Sequence, residues 1–375
     1  MENDRERYLT PWVRADLEKK MVFLSGPRQV GKTTLANVLL AGDESRYLNW
    51  DFDADRERIL ARDWPAKPGL LVLDEIHKYP RWRNLVKGLH DKRKKDLSIL
   101  VTGSARLDLY RRGGDSLQGR YHPYQLHPLS VAELGLRTRE ELDLLLAMSG
   151  FPEPWFAGNV RERKRWALEY RSRLIREDLR DLERVTEIAL IERLALRLPE
   201  LVGSPLSYNA LREDLNVAHA TVVRWCDALE RLYYLFRIPP FGAPRLRALK
   251  KPPKHYHWDW ALVPEPGPRL ENLVASHLLK WCHYERDVNG RDLELAYFRD
   301  VDGREVDFVV LEDRKPIRFI ECKTRDRGTA KGLRYLKQRF PKVEARQLTL
   351  EAGIDRQTED GLRTTSLLDF LRELV

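Results

Sequence analysis

Gly26-Pro27-Arg28-Gln29-Val30-Gly31-Lys32-Thr33-Thr34 is the stretch whose residue types and spacing point most directly to chemistry. From Gly26 to Thr33 it fits G-x-x-x-x-G-K-[ST]. Gly26 and Gly31 let the loop curl so that successive backbone N–H groups point inward at a phosphate. A helix expected to begin near Lys32 adds the positive end of its dipole. Lys32 is spaced to reach β- and γ-phosphates, and the Thr33 hydroxyl to hold Mg²⁺. The plainer alternative is a glycine-containing strand-to-helix turn that binds nothing. The apolar run before the loop and the helical pattern after it favour phosphate binding, with Gly26 to Thr34 as the cradle.

A second constellation follows. Leu70 to Leu73 are apolar and are followed by Asp74 and Glu75, which is a Walker B pattern. Asp74 is expected in the Mg²⁺ shell, and Glu75 is expected to orient and deprotonate the attacking water. Thr102-Gly103-Ser104 ends the next apolar run and offers a hydroxyl near the γ-phosphate, with Ser104 as the sensor. Phosphoryl transfer also needs positive charge opposite the leaving group. Of Arg106, Arg111, Arg112 and Arg120, we favour Arg120 as an arginine finger, because it follows Gly119 and comes just before the expected fifth strand. It could act in cis or on a neighbouring subunit, which makes a homo-oligomer a candidate assembly. A buried strand ending in acids, an ordinary turn and a solvated arginine are the respective plain alternatives.

The third constellation is a hairpin. Glu305–Leu311 and Ile317–Lys323 flank a charged turn, Glu312–Pro316. Pairing about Arg314 sets Asp307 opposite Glu321, with Glu305 and Lys323 on the same face. Opposed carboxylates repel unless a cation lies between them, and an all-oxygen site suits Mg²⁺ or Mn²⁺. Asp307 and Glu321 are expected metal ligands, with Glu271 on the preceding helix as an extra one. Lys323 would position or activate water for attack on a phosphodiester. This arrangement resembles the Asp…Glu-x-Lys signature of PD-(D/E)XK nucleases. Glu18-Lys19-Lys20 and Glu162-Arg163-Lys164 match the tripeptide too, but on expected helices. The specificity therefore lies in the hairpin register, and the plain alternative is a solvent-facing charged stripe.

These residues need elements to position them. Apolar strands are expected at Met21–Ser25, Tyr47–Trp50, Leu70–Leu73, Ser98–Thr102 and Tyr121–Leu126. Helices between them, after a first one over 1–20, imply a parallel sheet covered on both faces. Arg161–Leu198 reads as a long charged helical stretch. Ser204–Phe236 reads as helix, turn, helix, with Ser207 as a cap, Asn216–His219 as the turn and Tyr233–Ile238 as a strand. A basic run, Arg245, Arg247, Lys250, Lys251 and Lys254, would serve as the wing of a DNA-binding winged helix. The expected divisions are 1–135 for the ATPase domain, 136–200 for a helical linker, 201–262 for the winged helix and 263–375 for the nuclease-like domain.

Bulk properties fit this reading. The chain has 375 residues, 42% hydrophobic and 33% charged, with a net charge of +9. That length suggests two or three domains, and the arginine-rich excess suits phosphate contacts. Cys226, Cys282 and Cys322 are too scattered for a disulfide framework or a metal pair. No apolar run approaches the roughly 20 residues of a membrane span, and MENDRERYLT lacks a signal-peptide core. A cytoplasmic location with no membrane partner is the expectation.

Gly-Pro-Arg-Gln-Val-Gly-Lys-Thr-Thr, Leu-Asp-Glu-Ile-His-Lys, Thr-Gly-Ser-Ala and Leu-Gln-Gly-Arg-Tyr together resemble a large group of bacterial and archaeal AAA-superfamily P-loop ATPases. In these the ATPase is joined to a C-terminal domain of unknown function that itself resembles PD-(D/E)XK nucleases. The resemblance covers nearly the whole chain. In the second half it rests on Glu271, Asp307, Glu321 and Lys323. It implies ATP binding through Gly26–Thr33 and hydrolysis assisted by Asp74 and Glu75, with no agreed biological role. The expected fold class is α/β: a P-loop NTPase parallel sheet, a central winged helix-turn-helix and a C-terminal PD-(D/E)XK-like α/β domain. The expected function is a Mg²⁺-dependent ATPase whose nucleotide state repositions a DNA-binding module and a metal-dependent nuclease. The rivals are an ATP-switched DNA- or protein-binding module with an inactive nuclease fold, and a plain NTPase.

Overall fold

Met21–Ser25 (β1) is buried at all five positions, so it must be covered on both faces. The computed structural model, which describes residues 6–93, 95–103, 117–179, 187–242, 252–326 and 328–375, provides that cover. The chain forms two units, Met1–His127 and Pro128–Val375. The expected segments 136–200, 201–262 and 263–375 all fall within the second. Among the described residues, no helix is long and apolar enough to cross a membrane.

In the first unit, α1 (Thr10–Leu17) precedes β1, and α2 (Lys32–Leu40) follows it. Then come β2 (Tyr47–Asn49), α3 (Asp53–Ala61), β3 (Gly69–Asp74), α4 (Trp82–Arg93), β4 (Leu97–Thr102) and β5 (Tyr121–Gln125). The five strands are parallel in the order β2-β3-β4-β1-β5. All five expected strands are present, within a residue or so of their expected ends. Phe23, Leu73, Val101 and the α4 residues Trp82 and Val86 share one buried apolar cluster. The register pairs Asn49 with Asp74, Asp74 with Thr102, and Thr102 with Leu24. The carboxyl ends of four strands therefore form one polar rim, where ligands of such sheets bind.

Among the described residues, the second unit opens with helices α5 (Val131–Leu134), α6 (Arg139–Met148), α7 (Pro152–Ala157), α8 (Val160–Arg173) and α9 (Ile188–Arg197). Among the described residues, the expected helical stretch holds α8, wider π-turns at Leu174–Asp178 and α9. α10 (Tyr208–Leu215) and α11 (His219–Arg231) form the expected helix-turn-helix. Ser207 caps α10 by accepting a hydrogen bond from the Ala210 N–H at 3.2 Å. Asn216 ends α10 in the left-handed region (φ 53°), which redirects the chain into the turn. An antiparallel ladder follows, β6 (Leu235–Ile238) against β7 (Lys254–His257).

The last part builds a six-stranded mixed sheet. α12 (Pro266–Asn289) leads into β8 (Leu293–Arg299), β9 (Glu305–Glu312) and β10 (Lys315–Lys323). α13 (Lys331–Arg339), β11 (Glu344–Thr349), β12 (Asp355–Gln357), β13 (Leu362–Ser366) and α14 (Leu367–Arg372) complete it. The order is β12-β13-β11-β10-β9-β8. Elements on either side of residue 262 pack together. The Tyr256 ring on β7 lies 5.7 Å from that of Phe308 on β9, and the Phe241 N–H donates to the Tyr297 carbonyl at 2.6 Å.

Burial pushes the imidazole of His255 on β7 down to about 4, and those of His257 on β7 and His277 on α12 down to about 3. An unfolded chain takes up these protons near pH 6.5 and the folded one only below about 4, so they cost stability as pH falls through that window. Buried carboxyls of the same unit act in the opposite direction. The term is therefore read as a difference: His255→Gln should lose less stability than wild type between pH 6.5 and 4.5 in urea unfolding, and equal losses would contradict a neutral buried His255.

Candidate functional site

The loop after β1 has the curl that a phosphate cradle requires. Gly26 has φ 147°, and a Cβ there would lie 2.4 Å from the Leu126 carbonyl oxygen, so only glycine fits. Gln29 (φ 59°) and Gly31 (φ 99°) are also left-handed, and α2 starts at Lys32. Lys32 is buried and folds back over the loop. Its Nζ donates to the carbonyls of Gly26 at 3.0 Å and Pro27 at 2.7 Å. Arg7, which the sequence did not single out, braces the other side. Its Nη1 donates to the Val30 carbonyl and its Nη2 to that of His127, both at 2.6 Å.

The polar rim brings the second constellation to this loop. Asp74 is buried at the end of β3. Thr102 Oγ1 donates to its Oδ1 at 2.5 Å, and the Tyr47 hydroxyl donates to its Oδ2. The same hydroxyl is 3.5 Å from Thr33 Oγ1. Tyr47 thus stands between the two residues expected to hold Mg²⁺. Burial and the Asp74 charge keep its phenol protonated. A hydroxyl and a carboxylate, already bridged by a polar atom, suit a hard divalent cation.

Glu75 sits in the left-handed region (φ 53°), with its N–H donating to the Thr102 carbonyl at 3.0 Å. Burial, and then the Asp74 charge, push its carboxyl up to about 7. Its Oε2 lies 3.4 Å from His77 Nε2 and is buried with no hydrogen-bond partner among the described residues. A buried acceptor of this kind is available to a bound water.

Ser104, Arg106, Arg111 and Arg112 lie outside the described residues. Arg120 is placed differently from the expectation. It precedes β5, whose first residue pairs with Met21, the first of β1. It is therefore at the amino end of the sheet, a strand length of about 16 Å from the loop. There its Nε donates to Asp91 Oδ1 at 3.0 Å. Within one copy of the chain it cannot serve as the finger.

The C-terminal hairpin has the expected register beside the acids, with Phe308 facing Ile320 and Val309 facing Phe319. The turn itself falls at Asp313 and Arg314, and an irregularity between Pro316 and Arg318 absorbs the one-residue difference. Asp307 and Glu321 come together as expected. The Asp307 N–H donates to Glu321 Oε2 at 3.3 Å, the Cys322 N–H to Asp307 Oδ2 at 2.9 Å, and Lys323 Nζ to Glu321 Oε1 at 2.6 Å. Burial pushes the carboxyls of Glu271 and Glu321 up to about 7 and about 8, and that of Asp307 upward.

Lys254 departs from expectation. It is not part of an exposed wing: its side chain is fully buried. Its Nζ lies 3.0 Å from Glu271 Oε1, 2.6 Å from Glu305 Oε1 and 3.7 Å from Asp307 Oδ1. Among the described residues, no group of three acids, histidines or cysteines converges as metal ligands. The wing residues Arg245, Arg247, Lys250 and Lys251 lie outside the described residues.

Three family models match successive parts of the chain. Residues 18–135 match a family described as an AAA domain. Residues 139–265 and 266–368 match two domains of unknown function, DUF8612 and DUF4143. Uncharacterized proteins of Mycobacterium bovis and Mycobacterium tuberculosis are 28% identical over 247 residues, covering 65% of this chain and 55% of theirs. The chain thus spans about half the length of these curated relatives. An uncharacterized protein of Methanocaldococcus jannaschii is 23% identical, covering 74% of this chain and 73% of that one. Among solved structures, the Aeropyrum pernix ORC1 protein in complex with DNA has a TM-score of 0.36 at 15% identity, covering 72% of this chain and 91% of its own. A Pyrococcus horikoshii Signal Transduction ATPase with Numerous Domains protein has a TM-score of 0.22 at 12% identity, covering 75% of this chain and 47% of its own. Likenesses this loose carry no functional argument. The match over residues 18–135 and the loop, sheet and acids described above support a P-loop nucleotide-binding domain of the AAA type there.

Proposed function

We propose that the chain binds ATP on the Gly26–Thr34 loop and hydrolyses it with Glu75 as the general base. The observation that carries this reading is the meeting, on one sheet rim, of the curled loop, Thr33, Asp74 and a buried Glu75 oxygen that accepts no hydrogen bond among the described residues. Lys32 exchanges the Gly26 and Pro27 carbonyls for phosphate oxygens, while the loop N–H groups hold the remainder. Thr33 and Asp74 would hold Mg²⁺, which when bound would supply positive charge against the phosphates. Thr102 fixes one Asp74 oxygen, so the carboxylate keeps its aim when Tyr47 lets go of the other. Glu75 accepts the proton of the attacking water, which requires its carboxyl to be ionised.

A second reading concerns DNA. The helix-turn-helix of α10 and α11, followed by an antiparallel ladder, has the layout of a winged helix. His219 and Arg224 on α11 are exposed. With a net charge of +9 over the chain, phosphate contacts would supply most of the affinity. Cleavage is not part of this reading, because the acid cluster is closed around Lys254.

Lys32→Ala should abolish turnover and weaken ATP binding by calorimetry. Glu75→Gln should still bind ATP but turn over about a hundredfold or more slowly. Wild-type turnover should fall as pH drops below about 7, where Glu75 gains its proton, and the residual turnover of Glu75→Gln should lack that step; a flat wild-type profile would assign the base elsewhere. Tyr47→Phe frees one Asp74 oxygen, so nucleotide binding in Mg²⁺ should tighten several-fold while binding in EDTA stays unchanged; weaker binding in Mg²⁺ would make Tyr47 a support rather than a placeholder. Fluorescence anisotropy with duplex DNA should show a steep loss of affinity with salt, and Arg224→Ala should lower that slope by about one. An unchanged slope would remove α11 from the interface.

A further inference from the structure

Lys254 is the least expected side chain in the second unit. It is fully buried, and its strand is pinned from two sides: β7 pairs Lys254 with Ile238 of β6, and a bridge joins it to Pro205. The ammonium is therefore delivered by fixed backbone rather than by a wandering surface chain. It reaches Glu271 from α12 and Glu305 and Asp307 from β9, with the Tyr297 ring 5.7 Å away. Side chains alternate along a strand, so Tyr256 points the same way as Lys254. Its hydroxyl donates at 2.7 Å to the same Glu271 oxygen that receives Lys254.

Most of the oxygens that a metal would need thus accept from, or face, donors of the chain. Glu271 Oε1 accepts from Lys254 and Tyr256. Asp307 Oδ2 accepts from the Cys322 N–H, and its Oδ1 faces Lys254. Glu321 accepts from Lys323 on one oxygen and from the Asp307 N–H on the other. An ammonium differs from a neutral donor because it cancels the charge that attracts a divalent ion as well as filling the space.

We propose that Lys254 supplies, as part of the chain, the positive charge that a divalent ion would supply between these carboxylates, so that the cluster keeps a nuclease-like constellation without taking up a catalytic metal. The second unit then holds its hairpin, α12 and the helix-turn-helix together through one internal cation. The glutamates are its counter-ions rather than its chemistry.

The test uses the full chain without nucleotide at pH 8, titrated with Mn²⁺ while the free ion is followed by electron paramagnetic resonance. Wild type and Asp307→Asn should take up the same background of Mn²⁺. Lys254→Met, which keeps the length of the stem, should gain one site per chain, and Lys254→Met/Asp307→Asn should lose it again. Plasmid incubated with wild type and Mn²⁺ should stay intact. Wild-type uptake or nicking that disappears in Asp307→Asn would overturn the proposal. So would a folded Lys254→Met, checked by circular dichroism, that gains no site. Should Lys254→Met fail to fold, the wild-type and Asp307→Asn pair still decides: equal uptake supports the proposal and unequal uptake overturns it.

Discussion

The parallel register of the first sheet is the constraint on which the candidate site depends. Asn49, Asp74, Thr102 and Leu24 are neighbours because four strands stop at the same level. Each strand is apolar until that level and polar just beyond it, so the rim is where backbone and side-chain polar groups can first meet water or a ligand. β4 lies between β1 and β3, which sets Thr102 between the phosphate loop and the acidic strand end. Slipping one strand by a residue would part Asp74 from Thr102 and turn buried leucines toward the opposite cover.

The two units treat buried carboxylates in opposite ways. Asp74 receives hydrogen bonds from two neutral hydroxyls, those of Thr102 and Tyr47. These satisfy lone pairs but leave the negative charge in place, so the group still draws a cation. Glu271, Glu305 and Asp307 instead face an ammonium that is covalently part of the fold. Removing one member of such a buried pair typically costs about 3–5 kcal/mol, because the other is left uncompensated. The first arrangement suits reversible binding, and the second suits permanence.

What could be read in the chain follows from how local each signal is. The phosphate loop and the acidic strand end are contiguous patterns, and the structure joins them. The hairpin register was also within reach, because both strands lie within 19 residues, from Glu305 to Lys323, around a short charged turn. Lys254 was not, because its partners come from α12 and β9 and its own neighbours include Lys250 and Lys251, which read as a solvated run. The aromatic alternation of Tyr256 and Trp258 was the available sign that a buried strand begins there. Arg120 illustrates a different limit. In a parallel sheet, a residue preceding a strand must lie at the opposite edge from one following its neighbour, and local motif reading ignores that polarity. Tyr47 and Arg7 carry no motif at all. Their roles arise from where β2 ends and from how the segment before α1 turns.

Arg7 has a mechanical meaning. One guanidinium grips the carbonyl of Val30 in the phosphate loop and that of His127 beyond β5. The loop is thus tethered to the chain ahead of α1 by a route that bypasses the sheet. A tug on that leading segment is delivered straight to the nucleotide cradle.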